Sequence, residues 1–96
     1  LIRTMNKSDL LRKLKEKRNI FPEEDLDSSI NIILHFISRT LQEANRVEIR
    51  NFGTFSVRKR AKRLSRNPKT GTSVYVESKN HPYFRASKNL KESLNQ

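Results

Sequence analysis

The chain has 96 residues and a formal net charge of +11, because 21 Lys and Arg outnumber 10 Asp and Glu. It contains no Cys, which excludes disulfides and thiolate sites. No run of 18 apolar residues occurs, which excludes a typical membrane-spanning helix. These features predict one soluble, intracellular domain over residues 1–96, without a signal peptide. A chain this short buries a limited fraction of its surface, so a lone monomer would be marginally stable.

The positive charge is concentrated in the second half of the chain. Residues 1–48 hold nine Lys and Arg against eight Asp and Glu, whereas residues 49–96 hold twelve against two. Such asymmetry indicates a polyanionic partner for the second half. The alternative, a basic surface that only keeps the protein soluble, accounts poorly for charge gathered on one segment.

Two helices are predicted in the N-terminal half. Asn6 is a suitable N-cap with Asp9 three residues later, so the first helix begins there and ends near Asn19. Pro22 and the acids that follow it begin a second helix, which runs to about Ala44. The four acids between residues 23 and 27 are explained by the dipole of that helix start, so no metal site is predicted.

The second predicted helix is apolar over an unusually wide arc. A helix of this kind needs a second apolar surface besides its own domain, which predicts a dimer with its helical part at about residues 5–45. Whether the partner is a second copy or a related chain is left open. The residues predicted at the dimer interface are Ile30, Ile33, Leu34, Phe36, Ile37 and Leu41, together with the aromatic residues Phe52 and Phe55.

The second half, about residues 46–95, is predicted to form an antiparallel sheet and a last helix. Residues 46–50 alternate between apolar and polar side chains, Gly53 is the turn into the next strand, and residues 73–78 form the return strand. A short helix then opens with Ser87 or Ala86 near its cap.

A basic hairpin lies between the last two strands. Residues 58–72 contain seven Lys and Arg and no acid, and unpaired charge at this density is too costly to bury. Asn67, Pro68 and Gly71 predict a tight turn at its tip, since Pro sets φ, Asn bonds its own backbone and Gly accepts positive φ. Eight residues from Arg60 to Pro68 would reach about 26 Å at roughly 3.3 Å per residue, enough to follow a DNA minor groove.

Two motifs resemble the HU and integration host factor family of bacterial DNA-bending proteins. Residues 52–55, Phe-Gly-Thr-Phe, are similar to the family's strand entry, and residues 66–71, Arg-Asn-Pro-Lys-Thr-Gly, to the tip of its arm. The resemblance extends from about Met5 to Asn95. Residues 47–50, Val-Glu-Ile-Arg, resemble the beta-type subunit of integration host factor more than typical HU.

The resemblance implies an α+β fold and an architectural function. The fold would have two N-terminal helices, a three-stranded antiparallel sheet with a long basic hairpin arm, and a short C-terminal helix, assembled into an intertwined homodimer or heterodimer. The protein would bind double-stranded DNA in the minor groove and bend it, in the cytoplasmic nucleoid. No cofactor, metal, membrane or small-molecule substrate is expected.

The charge pattern and the resemblance together give the candidate DNA-binding residues. The resemblance implies that Pro68 intercalates between base pairs, which its rigid ring permits because it has no N–H to leave unsatisfied; a role only in forming the turn is the alternative. The resemblance implies that Arg50 enters a narrow minor groove, oriented by Glu48; a surface ion pair of little energetic value is the alternative. The complete set of predicted DNA contacts is Lys7, Ser8, Arg50, Arg58, Arg60, Lys62, Arg63, Arg66, Asn67, Pro68, Lys69 and Lys88, with Arg85 and Lys91 as additional candidates.

The chain departs from the family at four positions where glycine is usual: Ala44, Asn51, Ser65 and Ser87. Asn tolerates positive φ, so Asn51 is compatible with a turn. At Ser65 and Ser87, weaker contacts of the arm and of the last helix with DNA are expected.

Other classes of protein fit the sequence less well. A basic protein bound to RNA or to the ribosome would show no preference for bent or nicked duplex DNA. An enzyme is disfavoured, since the chain has no Cys and no glycine-rich phosphate loop. A protein held on anionic membranes would need a basic amphipathic helix with exposed aromatic residues, and none is predicted.

Overall fold

The computed structural model describes residues 2–60 and 63–96, and its architecture is the predicted α+β arrangement. The elements in chain order are α1 (Lys7–Lys17), α2 (Glu23–Gln42), β1 (Val47–Ile49), β2 (Gly53–Arg60), β3 (Arg63–Arg66), β4 (Ser73–Val76), β5 (Lys79–Ala86) and α3 (Lys88–Leu94). The chain divides into two compact units, of which the first ends at Ser38 and the second begins at Arg39. In the described part of the chain, no helix is both long enough and apolar enough to cross a membrane.

Helix α1 opens on the predicted capping box. The Asp9 N–H donates to Asn6 Oδ1 over 3.0 Å, and the Asn6 N–H donates to Asp9 Oδ2 over 3.1 Å. The bond from the Asn6 backbone lowers the pKa of the Asp9 carboxyl, and Arg12 beside it lowers that pKa further. Because both partners of the box are present, Asn6 fixes the first residue of the helix, which ends at Lys17 rather than at Asn19.

Helix α2 begins directly after Pro22, as predicted, and ends two residues before the expected Ala44. The Asn45 N–H donates to the Thr40 carbonyl and the Ala44 N–H to the Leu41 carbonyl, each over 3.0 Å. These bonds satisfy carbonyls at the helix end. They also require Ala44 to adopt a φ of 60°, a left-handed conformation that normally selects glycine.

Replacing Ala44 by Gly should therefore stabilise the protein. A non-glycine residue in the left-handed region costs about 1–2 kcal/mol, and the greater freedom of glycine in the unfolded chain offsets about 0.4–1 kcal/mol of the gain. Urea denaturation should show a net increase of about 1 kcal/mol in the free energy of unfolding. Ala44→Val is the matched control and should lower it, since a β-branched side chain fits this conformation poorly. A stability decrease in Ala44→Gly would contradict this reading.

The main sheet is antiparallel, with strand order β1-β2-β5. Val47 faces Phe55 across β1 and β2, and Phe55 faces Phe84 across β2 and β5. The ring centroids of Phe55 and Phe84 lie 4.8 Å apart, and those of Phe52 and Phe84 lie 5.4 Å apart. Side chains alternate along a strand, so this aromatic cluster occupies one face and polar residues occupy the other.

Strand β5 was not predicted. The return strand was expected to cover residues 73–78, but β4 ends at Val76 and a separate eight-residue strand, Lys79–Ala86, follows. Pro82 obscured it, because a proline argues against a strand in the middle of a sheet. Strand β5 pairs with β2 alone and is an edge strand, where proline is tolerated.

The role predicted for Gly53 was incomplete. Gly53 is the first residue of β2 and is buried, while residues 50–52 form the turn, in which Asn51 has a φ of 66°. A Cβ on Gly53 would lie 2.6 Å from Phe84 Cε1 and 2.7 Å from the Arg85 carbonyl oxygen. Glycine is required there because the aromatic cluster packs directly against the backbone.

The hairpin tip forms the predicted turn. Strands β3 and β4 pair antiparallel from Arg63 with Val76 to Arg66 with Ser73. The Gly71 N–H donates to the Asn67 carbonyl over 2.8 Å, and the Lys69 N–H donates to Asn67 Oδ1 over 2.9 Å. Gly71 has the expected positive φ, 72°.

Helix α3 is capped by Ser87, whose Oγ accepts from the Leu90 N–H over 3.1 Å. The Ser87 N–H donates to the Phe52 carbonyl, and Asn89 Nδ2 donates to Asn51 Oδ1 over 3.0 Å. These bonds join the start of α3 to the turn before β2, so the two segments lie at the same edge of the second unit.

Candidate nucleic-acid interface

The polar face of the main sheet forms a concave basic surface. On β2, alternation places Thr54, Ser56 and Arg58 on this face, and the register places Arg85 beside Thr54 and Tyr83 beside Ser56. The turn before β2 and the start of α3 complete a shallow concavity of about 610 Å³. The charged residues that line it are Arg46, Glu48, Arg50, Arg58, Arg85, Lys88 and Lys91.

Among the residues that the structure describes, six cations and one acid share this concave basic surface. Lys88 Nζ lies 3.9 Å from Glu92 Oε1, but its side chain is largely exposed, and exposed pairs of this kind contribute little. Cations in a concavity reinforce one another's field, so the surface attracts anions. Of the predicted contacts, Arg50, Arg58 and Lys88 lie on it, as do the additional candidates Arg85 and Lys91.

Glu48 and Arg50 both line this surface. They are two residues apart, and the alternation of residues 47–50 predicted that they share one side. Arg50 begins the turn that precedes β2 and is exposed. The adjoining Asn51 is held by Asn89, so the turn that carries Arg50 is anchored to α3.

Sequence reasoning missed Tyr83, whose ring lies under the Arg58 guanidinium with Cζ 3.5 Å from the ring centroid. Arg46 was also not among the candidates. Tyr83 would have been found had β5 been recognised, because alternation then places Tyr83 and Arg85 on the face that carries Arg58. The signal for Arg46 was the alternation of residues 46–50, which places it on the side of Glu48 and Arg50.

The arm carries most of the remaining predicted contacts. Arg60, Arg66, Pro68 and Lys69 are exposed, and Pro68 stands at the closed tip. Asn67 is half-buried and its carboxamide oxygen is bonded to the backbone of the tip, which indicates a structural role there. Lys62 and the side chain of Arg63 lie outside the described residues.

Lys7 and Ser8 belong to the first unit, at the start of α1. Lys7 Nζ lies 3.8 Å from Asp27 Oδ1, and the Ser8 hydroxyl donates to Asn6 Oδ1 over 2.6 Å. Both side chains are exposed, so these local contacts leave them accessible to a phosphate.

Large apolar side chains of α2 are exposed on the single chain. Phe36 is 64% exposed and Ile33 58% exposed, and Leu34 is exposed as well. Ile37 and Leu41 are half-buried. The predicted interface also includes Ile30, which is buried within the chain, Phe52, which is exposed, and Phe55, which is half-buried.

No group of three or more His, Cys, Asp or Glu within residues 2–60 and 63–96 is arranged to hold a metal ion. The groups that line the concave basic surface include guanidinium, ammonium and hydroxyl groups, which bind phosphate.

Known proteins share this fold. Residues 5–95 match the family model described as "Bacterial DNA-binding protein". The chain therefore belongs to this family, and the predicted resemblance and DNA-binding class are confirmed. The family description is that of a DNA-binding protein and not of an enzyme.

Within the family, the chain is similar to subunit beta of integration host factor. It is 47% identical over 87 residues to that subunit from Haemophilus influenzae (strain PittGG), covering 91% of this chain and 93% of the relative. It is 44% identical over 91 residues to that subunit from Aeromonas hydrophila, covering 95% and 97%. Among solved structures, a cocrystal of Anabaena HU with DNA matches with a TM-score of 0.85 and 29% identity, covering 94% and 97%.

Proposed function

We propose that the protein is an architectural DNA-binding protein that binds duplex DNA as a dimer, holds it in the minor groove with two basic arms and bends it. The observation that carries this proposal is the concave basic surface, which has six cations and one acid among its described residues and lies in the same unit as the basic hairpin. A concave surface with excess positive charge is complementary to the convex, negatively charged surface of a DNA duplex. The nucleoid is then its place in the cell.

The dimer rests on the exposed apolar side chains of α2. At 3.6 residues per turn, the apolar positions from Ile32 to Leu41 cover about 200° of the helix. Among the residues whose burial is described, the buried hydrophobic side chains are those of Leu26 and Ile30. Two buried residues make a small core, so association with a second copy or a related subunit would supply the rest. The relatives named as subunit beta are, by that name, parts of an assembly.

Charge neutralisation would supply most of the affinity. Each phosphate contacted by a cation adds about −0.9 to the slope of log K against log salt on duplex DNA. The cations of the concave basic surface and of the arm predict a steep slope. Arg50 would add shape readout, because narrow A·T-rich grooves attract Arg, and Glu48 on the same surface would orient it.

Replacing Arg50 by Ala should weaken binding mainly at sites with an A·T-rich minor groove. The discrimination between A·T-rich and G·C-rich duplexes should fall by roughly tenfold, a loss of about 1–2 kcal/mol. Lys59→Ala is the matched control, since it removes one cation from the end of β2 next to the arm, on the face opposite to Arg58, and should weaken both duplexes equally. Equal losses in Arg50→Ala on both duplexes would make Arg50 a plain phosphate contact.

The function is tested by measuring the mass of the purified protein and, in the same samples, energy transfer between dyes at the two ends of a duplex. A dimer that increases the transfer supports the proposal. An RNA-binding or ribosome-associated protein, the second candidate, would bind structured RNA at least as tightly and leave the transfer unchanged.

A further inference from the structure

We propose that Tyr83 is a positioning residue, which holds the Arg58 guanidinium in place to receive a DNA phosphate at the base of the arm. This inference rests on the proposed function, since it assigns a residue to the binding of duplex DNA by the concave basic surface. Tyr83 is not among the contacts that charge or motif predicts.

The first observation is the stacked geometry. Ser56 faces Tyr83 in the register of β2 and β5, so Arg58, two residues further along β2, is the diagonal neighbour of Tyr83 on the same face. Long side chains reach across such a diagonal. The Arg58 Cζ lies 3.5 Å from the ring centroid, and at that distance the guanidinium must lie flat, because one standing on edge would drive a nitrogen into the ring.

The second observation is that the stacking leaves the N–H groups at the edge of the Arg58 guanidinium free. One face of the guanidinium covers the tyrosine ring. The N–H groups lie in the plane of the guanidinium, so they point outward, parallel to the ring and not into it. These N–H groups are the ones that bind a phosphate in a bidentate manner. The stacked arginine therefore keeps its donors available for DNA.

The third observation is that the partner is neutral. Within residues 2–60 and 63–96, the Arg58 guanidinium forms no ion pair with a carboxylate, and the residue directly opposite it in the register is His81. A carboxylate would orient the guanidinium but cancel its charge, and that pair would have to break before a phosphate could bind. An aromatic ring orients the cation and leaves its charge in place.

Tyr83 is 36% exposed, and its face of the sheet is the one opposite to the aromatic cluster. Its removal should therefore affect Arg58 more than the fold. An unstacked arginine must lose rotamer freedom when it binds, so a stacked one should bind more tightly. Three- to tenfold is about the effect expected for ordering one such side chain.

The test is a double-mutant cycle with Arg58→Ala and Tyr83→Ala, measured by titration of a labelled duplex at one fixed salt concentration. Tyr83→Ala should weaken binding by about three- to tenfold in the wild-type background and by less than twofold in the Arg58→Ala background. Tyr83→Phe retains the ring and should bind within about twofold of wild type. Lys59→Ala is the control for coupling, because Tyr83→Ala should remain fully effective when Lys59 is absent.

A loss of the same size in Tyr83→Ala with and without Arg58 would overturn the inference. Failure of Tyr83→Phe to restore binding would also overturn it, since the hydroxyl and not the ring would then matter. A wild type that does not bind duplex would overturn the proposed function and this inference together, whereas a wild type that binds and a silent Tyr83→Ala would overturn this inference alone.

A measurement without DNA checks the geometry itself. The chain has two Tyr and no Trp, so in a Tyr75→Phe background the fluorescence reports Tyr83 alone. Arg58→Ala should change that emission in the free protein, and Lys59→Ala should not. Identical emission in the presence and absence of Arg58 would show that the stacked pair is not formed in solution.

Discussion

Replacing Phe36 by Asp is expected to leave the protein monomeric at micromolar concentration and to weaken its binding to duplex DNA by more than about a hundredfold. Phe36 is 64% exposed on the single chain, beside Ile33 on the same side of α2. In a dimer that covers these side chains, the aspartate would be an unpaired charge in an apolar interface, which costs several kcal/mol. Sedimentation equilibrium gives the mass, and titration of a labelled duplex gives the affinity.

Ser28→Asp is the matched control for this substitution. Ser28 is exposed on the polar arc of α2, so the same charge added there should leave the dimer and the affinity close to wild type. Circular dichroism should show that Phe36→Asp keeps its helices, because Phe36 contributes little to the packing within one chain. A Phe36→Asp variant with the mass of a dimer and wild-type affinity would show that this part of α2 is not the interface.

Replacing Pro68 by Ala is expected to reduce the bend of the DNA by several tens of degrees while leaving the dimer intact. A wedge between base pairs kinks a duplex by about 20–90° and unstacks it at a cost of a few kcal/mol. Alanine has no rigid ring, and it restores an N–H that would be unsatisfied between bases. Energy transfer between dyes at the two ends of a duplex should fall toward that of the free duplex.

The tip itself should survive this substitution. The bonds from Gly71 and from Lys69 to Asn67 close the turn without any contribution from the ring of Pro68. The slope of affinity against salt should therefore be unchanged, because no charge has been removed. Lys69→Ala is the matched control with the opposite outcome: the bend should remain, and the slope of log K against log salt should become less steep by about 0.9 for each arm of the dimer that carries the substitution. A Pro68→Ala complex with the wild-type bend would exclude the wedge.

Local signals predicted much of the fold. The capping box at Asn6 and Asp9, the helix start after Pro22 and the turn from Asn67 to Gly71 were all read correctly, because each depends on a few neighbouring residues and on the bonds they form with their own backbone. The same is true of the wide apolar arc of α2, which needs only the helical period. The motifs at residues 52–55 and 66–71 also pointed to the correct family. Each motif is one short contiguous segment, so it can be recognised without knowledge of the fold.

Strand β5 shows where local signals failed. The proline at position 82 disfavours a central strand, and only the strand order, which makes β5 an edge, explains why it is tolerated there. Gly53 is a similar case. Its neighbours in sequence indicate a turn, but the constraint comes from Phe84 and Arg85, more than thirty positions later.

The sequence by itself determined the basic arm, its tip, the helices and the DNA-binding class, because charge, turn chemistry and periodicity act over a few residues. The tertiary structure decided which cations share the concave basic surface, that Asn51 is held by Asn89, and that Tyr83 lies under Arg58. These relations depend on the register between β2 and β5. Register is set by the packing of side chains on both faces of the sheet. These packing contacts join residues that are distant in the chain.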